Sequence, residues 1–242
     1  MKVKQALIAV GSNGSRLRRA GVDVPLSKSF LELEGRTMLY WCLLGLYNAG
    51  IERVVLAADS SEKIKKSEDV LESFPYRFSR VDFYQDCGLG APGLPYHTRH
   101  LLDERFFFEF GHSMSDPEHY SRMYDASGNN YVVFSAFKPK PHTSRPLVRI
   151  RDEGITPIDN STGASNEFVV CAPCLADQEY AANLPNMGFS TRGIVDFYSR
   201  AGTLRLVESN LPIEVDELEE LKECMPIYSK YVKGLKIPAE TA

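Results

Sequence analysis

The chain has 242 residues, of which 43% are apolar and 25% charged. These are ordinary globular values, and the length can bury a substantial core without staples. With 28 Lys+Arg against 32 Asp+Glu the formal net charge is −4, which argues against a general nucleic-acid or acidic-membrane binder. The longest strongly apolar stretch, Leu39–Tyr47, is less than half of the roughly 20 residues a bilayer demands.

The N-terminus runs straight into Ala6–Val10 with no cleavage-site pattern, so it reads as a first strand rather than a signal peptide. That short continuous apolar run suits a strand buried on both faces. Thr37–Asn48 predicts a buried helix, stopped near Gly50. Val54–Ala57 is the next strand, and Ser61–Phe74 an amphipathic helix with Ile64, Val70, Leu71 and Phe74 on one side. Val81–Tyr84 and Phe106–Phe110 follow as strands. A helix is expected from about Asp116, an N-cap candidate, with Pro117 in its first turn. Tyr131–Phe137 is a fifth strand.

The second half is less regular. Lys138–Pro146 reads as a mobile loop, and Leu147–Arg151 with Ile155–Ile158 as a hairpin around Asp152-Glu153-Gly154. Phe168–Cys171 is expected as a strand, Leu175–Asn183 and Gly193–Ala201 as helices, Thr203–Glu208 as a late strand and Asp216–Lys230 as a final helix. The alternation predicts an α/β fold: a doubly wound, Rossmann-like, mostly parallel mixed sheet with helices on both faces. No linker forces a cut, so residues 1–242 are expected to form one domain.

Five cysteines, odd in number and irregular in spacing, suggest reduced thiols and a cytoplasmic location. Cys171 and Cys174 have Cys-x-x-Cys spacing, but without a second pair they read as packing thiols. His97, His100, His112 and His119 are expected to be solvated or capping rather than a metal cluster. Trp41 and Phe106-Phe107-Phe108 read as core, and Glu217–Glu223 as a solvated helix face.

The most informative segment follows the first strand: Ala9-Val10-Gly11-Ser12-Asn13-Gly14-Ser15-Arg16-Leu17. A Gly- and Ser-rich turn leaving a parallel strand presents backbone N–H groups in a concave nest that suits phosphate oxygens. Arg16 adds a planar cation, and Lys28 a second charge close behind.

This segment resembles the Gly-Gly-x-Gly-Thr/Ser-Arg-Leu signature of the sugar-phosphate nucleotidylyltransferases, the nucleotide-sugar pyrophosphorylases. Leu26–Tyr40 is similar to that family's Pro/Ser-Lys-x-Leu-Leu-Pro-Ile-x-Gly-Lys-Pro-Met-Ile stretch, and Asn48-Ala49-Gly50-Ile51 to its Ala-Gly-Ile helix ending. Weaker matches are Tyr84-Gln85 with Gly88–Gly93, and Ile213–Leu221. The resemblance implies a GT-A-like fold with a nucleotide-binding half over about 1–115 and an acceptor-binding half over about 116–242. It implies transfer of a nucleoside monophosphate from a nucleoside triphosphate to a sugar-1-phosphate or related phosphate ester, with release of pyrophosphate. Nucleotide-binding positions would be Ala9, Gly11, Ser12, Asn13, Gly14, Ser15, Gln85 and Gly90, and Arg16 and Lys28 the catalytic cations. Relatives are often dimers, so a homodimer is implied too.

The family also uses Mg²⁺ or another divalent cation, held by one Asp after the fourth strand and a second near the C-terminus. Here the first position is His112 and the second Glu214, with Asp116 a substitute four residues beyond His112. Glu for Asp is tolerable, whereas imidazole is a poor Mg²⁺ ligand. His112 then binds phosphate as a cation or helps hold a different metal, or the chain is a silent nucleotide- or sugar-nucleotide-binding relative. A nucleotide-sugar-dependent glycosyltransferase is disfavoured, because no Asp-x-Asp follows Tyr84 or Phe110.

Overall fold

The computed structural model describes residues 3–86, 90–128, 132–139, 146–211, 215 and 217–235. The elements in order are β1 (Gln5–Ala9), α1 (Ser15–Arg19), β2 (Glu32–Leu33), β3 (Arg36–Thr37), α2 (Met38–Asn48), β4 (Arg53–Ala58), α3 (Ser61–Glu72), β5 (Arg80–Gln85), α4 (Leu94–Thr98) and β6 (Arg105–Phe110). Then come α5 (Pro117–Ser127), β7 (Val132–Phe137), β8 (Leu147–Arg151), β9 (Gly154–Ile158), β10 (Glu167–Asp177), α6 (Gln178–Asn183), α7 (Thr191–Arg200), β11 (Leu204–Glu208) and α8 (Leu218–Gly234).

One sheet runs β11-β7-β10-β6-β1-β4-β5. β1 pairs in parallel with β4 and β6, β4 with β5, and β11 with β7. β10 enters antiparallel between β6 and β7, and the hairpin β8–β9 hangs from its first residues. The expected mixed, mostly parallel sheet is therefore present. Its central strands are apolar throughout because both faces are covered. Ala6, Ile8, Val54, Leu56 and Phe107 face a core built with α2 and Tyr120 of α5. Leu7, Ala9, Val55, Ala57, Phe106 and Phe108 face a second core with Tyr180 of α6 and Ile194 of α7.

Local signals mark the helix starts. Thr37 and Asp116 accept hydrogen bonds from the N–H groups of Tyr40 and His119, and Pro117 opens α5. Trp41 lies in the core, with its indole N–H donating to the Leu33 carbonyl. The hairpin 147–158 and the late strand also stand where the sequence puts them.

Two expected element boundaries need correction. Leu175 to Asp177 do not begin a helix; they extend β10, with Leu175 opposite Phe107 and Ala176 opposite Phe106. Burial between two apolar strands outweighs the helix preference of Leu and Ala, and α6 starts only after the Asp177 carboxylate caps Tyr180. The last helix begins at Leu218 rather than Asp216, because Glu217 and Glu220 form a reciprocal capping box there. The expected loop at 138–146 lies mostly outside the described residues. No helix among the described residues is long and apolar enough to cross a membrane.

His119, expected to be solvated or capping, is instead fully buried and links α5 to the sheet, because its two ring nitrogens find partners there. Its Nε2 lies 2.6 Å from Ser135 Oγ, and Arg122 Nη2 lies 3.2 Å from its Nδ1. A guanidinium only donates, so Nδ1 accepts and Nε2 carries the proton that Ser135 receives. Burial, aided by the Arg122 charge, pushes the imidazole down to about 4. The folded value thus lies below the unfolded value of about 6.5. The stabilisation is complete above the unfolded value and is lost as pH falls toward the folded one, by about 3 kcal/mol in total. Urea midpoints should therefore fall between pH 6.5 and pH 4, and His119→Gln should remove that component of the slope.

Candidate active site

β1 delivers the glycine loop to the carboxyl edge of the sheet, where open α/β sheets bind ligands. Gly14 has φ 61°, and a Cβ there would meet Lys28 Cγ and Val24 Cγ1 at 3.0 Å. The left-handed backbone and the close approach both require glycine. The Lys28 N–H donates to the Ser12 carbonyl at 3.0 Å, which fastens the two halves of the loop. Ser27 caps the short 3-10 turn Lys28–Phe30 by accepting from the Ser29 N–H. Lys28 is 3% exposed, with Nζ donating to the Val215 carbonyl at 2.9 Å. Arg16 sits half-exposed, 3.8 Å from a Glu217 carboxylate oxygen. Val215 and Glu217, just before α8, thus each meet one of the two cations.

β6 reaches the same edge. The Gly111 N–H donates to the Ala9 carbonyl, and a Cβ on Gly111 would meet Ser29 Oγ at 2.9 Å. The chain then places His112 against the Phe110 ring, stacked at 5.5 Å, and buried to 4% exposure.

These pieces converge on a cavity of about 330 Å³. Ser12, Arg16, Lys28 and His112 supply its polar wall, and Phe108, Phe110, Phe134, Cys171, Tyr180, Thr191 and Ile194 much of the rest. The Tyr180 phenol is pushed well up by burial, so it stays protonated. A second pocket of about 220 Å³ adjoins it through the shared residues Ser12, Ala91 and Phe110. Its other walls include Ala9, Gly11, Ala57, Asp59, Asp86, Gly90 and Leu94.

The sequence candidates separate accordingly. Arg16, Lys28, Ser12 and His112 line the larger cavity, and Ala9, Gly11, Ser12 and Gly90 the smaller. Asn13 turns its side-chain oxygen to Lys63 rather than to either pocket. Ser15 opens α1, and its carbonyl accepts from Arg19 Nε. Gln85 ends β5 exposed and lines neither pocket; its neighbour Asp86 does. The Asp116 carboxylate caps α5 and is absent from both linings. Glu214 lies outside the described residues.

Lys63 was not legible as a site residue. It projects from α3, 5% exposed, toward the glycine loop. Its Nζ donates to the Gly11 carbonyl at 2.9 Å, to Asn13 Oδ1 at 2.5 Å and to Asp59 Oδ2 at 3.0 Å, with Asp59 Oδ1 2.7 Å away in the same ion pair. The only hint in the sequence is the Asp59–Lys63 spacing of four across a helix start.

Mg²⁺ requires several oxygen ligands. Among the described residues the larger cavity carries no carboxylate, and no group of three His, Cys, Asp or Glu is placed to hold a metal. The Asp59 carboxylate is already bound to Lys63. The described residues therefore do not form a Mg²⁺ site. Cys171 and Cys174 are buried free thiols in β10, as packing residues should be, and burial raises the Cys174 thiol.

No family model and no curated protein matches the chain. Solved structures do. The inositol-1-phosphate CTP transferase from T. maritima superposes with a TM-score of 0.77 at 17% identity, over 98% of this chain and 99% of that one. The UDP-glucose pyrophosphorylase from Acinetobacter baumannii gives 0.71 at 15% identity, over 96% and 97%. The 4-diphosphocytidyl-2C-methyl-D-erythritol synthase from Anaerococcus prevotii gives 0.64 at 15% identity, over 96% of each chain. Across nearly its whole length, this chain has the fold shared by these sugar-phosphate nucleotidyltransferase structures.

Proposed function

We propose that this chain is a nucleotidylyltransferase. It moves a nucleoside monophosphate from a nucleoside triphosphate to a sugar-1-phosphate or a related small phosphate ester. The observation that carries this reading is the convergence of Ser12 from the glycine loop with Arg16, Lys28 and His112 on one cavity. An adjoining pocket with apolar walls offers room for a base. The fold shared with nucleotidyltransferase structures supports it.

The reactants are anions, so repulsion and alignment are the obstacles. An oxygen of the acceptor phosphate bonds to the α-phosphorus. The bond from that phosphorus to the bridging oxygen breaks, and pyrophosphate leaves with the electron pair. Arg16, a planar multi-donor cation, suits the β- and γ-phosphates. Lys28, a compact charge, suits the α-phosphoryl oxygens and the incoming phosphate. Loop N–H groups add fixed dipoles. Protonated Tyr180 and the Thr191 hydroxyl offer donors on the side where the acceptor would lie. A divalent cation, when bound, would offset further phosphate charge, with carboxylates from outside the described residues.

The test is turnover with each common nucleoside triphosphate, Mg²⁺ and a panel of phosphorylated sugars and polyols, read as pyrophosphate release. One observation favours a second reading: the described lining of the larger cavity lacks a carboxylate. A catalytically silent binder would show saturable nucleotide binding by calorimetry and no pyrophosphate with any metal.

A further inference from the structure

The smaller pocket contains a buried carboxylate oxygen that has no donor among the described residues. Asp86 follows β5, and its N–H donates to the Ala58 carbonyl at 2.7 Å, which fixes the residue at the pocket wall. Its Oδ1 is buried and has no hydrogen-bond partner among the described residues. A buried carboxylate oxygen without a donor is costly, so a site that keeps one needs a donor from elsewhere. Asp59, the other acid of the pocket, is committed to Lys63 through both oxygens. A cation site is therefore a poor fit, since too few free oxygens remain. The walls facing Asp86 include Ala9, Ala57, Leu94 and Phe110. Such apolar surface matches the faces of a planar heterocycle, while the acid matches an N–H edge.

We infer that Asp86 selects nucleotides whose base carries an exocyclic amine. This rests on the nucleotidyl-transfer reading and names its substrate class. Cytosine, adenine and guanine each present an amino group on the base edge. Uracil and thymine place a carbonyl oxygen where cytosine has its amine, and their one ring N–H on that edge is flanked by carbonyl oxygens on both sides, which a carboxylate accepting from it would face. An acceptor-only carboxylate accepts from the amine and repels that oxygen. A site that pairs a polar group of its ligand discriminates strongly against the analogue lacking it, because its own buried group is left unpaired. Gln85, the position that the family resemblance puts at the base, is exposed beside the pocket, so the acid and not the amide borders it.

The experiment is calorimetric titration of the full chain with CTP, ATP, GTP, UTP and dTTP, and with inorganic tripolyphosphate as a base-free probe. At least one amino-bearing nucleotide should bind about tenfold or more tighter than UTP and dTTP. Asp86→Asn supplies both a donor and an acceptor, so it should narrow that ratio to about threefold or less while tripolyphosphate affinity stays unchanged. Equal or tighter binding of UTP or dTTP overturns the inference alone and leaves nucleotidyl transfer standing. An unchanged ratio in Asp86→Asn with intact tripolyphosphate binding overturns the role of Asp86. Absence of binding by every nucleotide to folded protein overturns both readings together.

Discussion

Lys28→Ala is expected to lower the rate of pyrophosphate release by about a thousandfold. The magnitude follows from the setting. The residue is 3% exposed and lines a cavity walled largely by aromatic and aliphatic side chains, with its ammonium held by the Val215 carbonyl. A charge in such a place acts on developing negative charge far more strongly than in water, and loss of one such donor costs about 10²–10³ in rate. Arg16 is half-exposed and faces Glu217, so Arg16→Ala should act mainly on KM for the triphosphate. Arg16→Lys should restore only part of it, because an ammonium cannot span two phosphate oxygens as a guanidinium does. Full-rate turnover by both Lys28→Ala and Arg16→Ala would refute the assignment of the loop.

Lys63→Met should raise KM for the triphosphate by about tenfold or more while kcat changes less, and Lys63→Arg should recover part of the loss. Lys63 is a positioning residue. Its ammonium gathers the Gly11 carbonyl, the Asn13 side chain and the Asp59 carboxylate at one point. With those oxygens turned toward Lys63, the loop is held in one shape and its N–H groups are free for a polyanion. Met keeps the length of the stem and removes the donors. The three acceptors then lose a shared partner, which costs about 2 kcal/mol and lowers Tm by about 4–8 °C. A structural role alone would show only that Tm shift. Steady-state KM and kcat, measured below the melting range of each variant, separate the two.

What the sequence determined by itself was local in range. Short continuous apolar runs specified strands covered on both faces, because such runs have no other low-cost burial. Thr37 and Asp116 specified helix starts, since a cap acts on N–H groups two or three residues away. Gly14 and Lys28 were legible because a tight turn and its neighbouring cation lie within one short segment. Tertiary structure decided the rest. Leu175–Asp177 became strand only because Phe106 and Phe107, nearly seventy residues earlier, offered a buried edge. Lys63 reads in sequence as one of three lysines on a polar helix; its bonds to Gly11 and Asn13 span about fifty residues and exist only once α3 packs beside β1 and β4. Asp59 and Asp86 directly follow neighbouring parallel strands, so they share a pocket only after β4 and β5 pair. Local backbone chemistry can be read along a chain, but desolvation and charge partners arise when distant segments exclude water from one another.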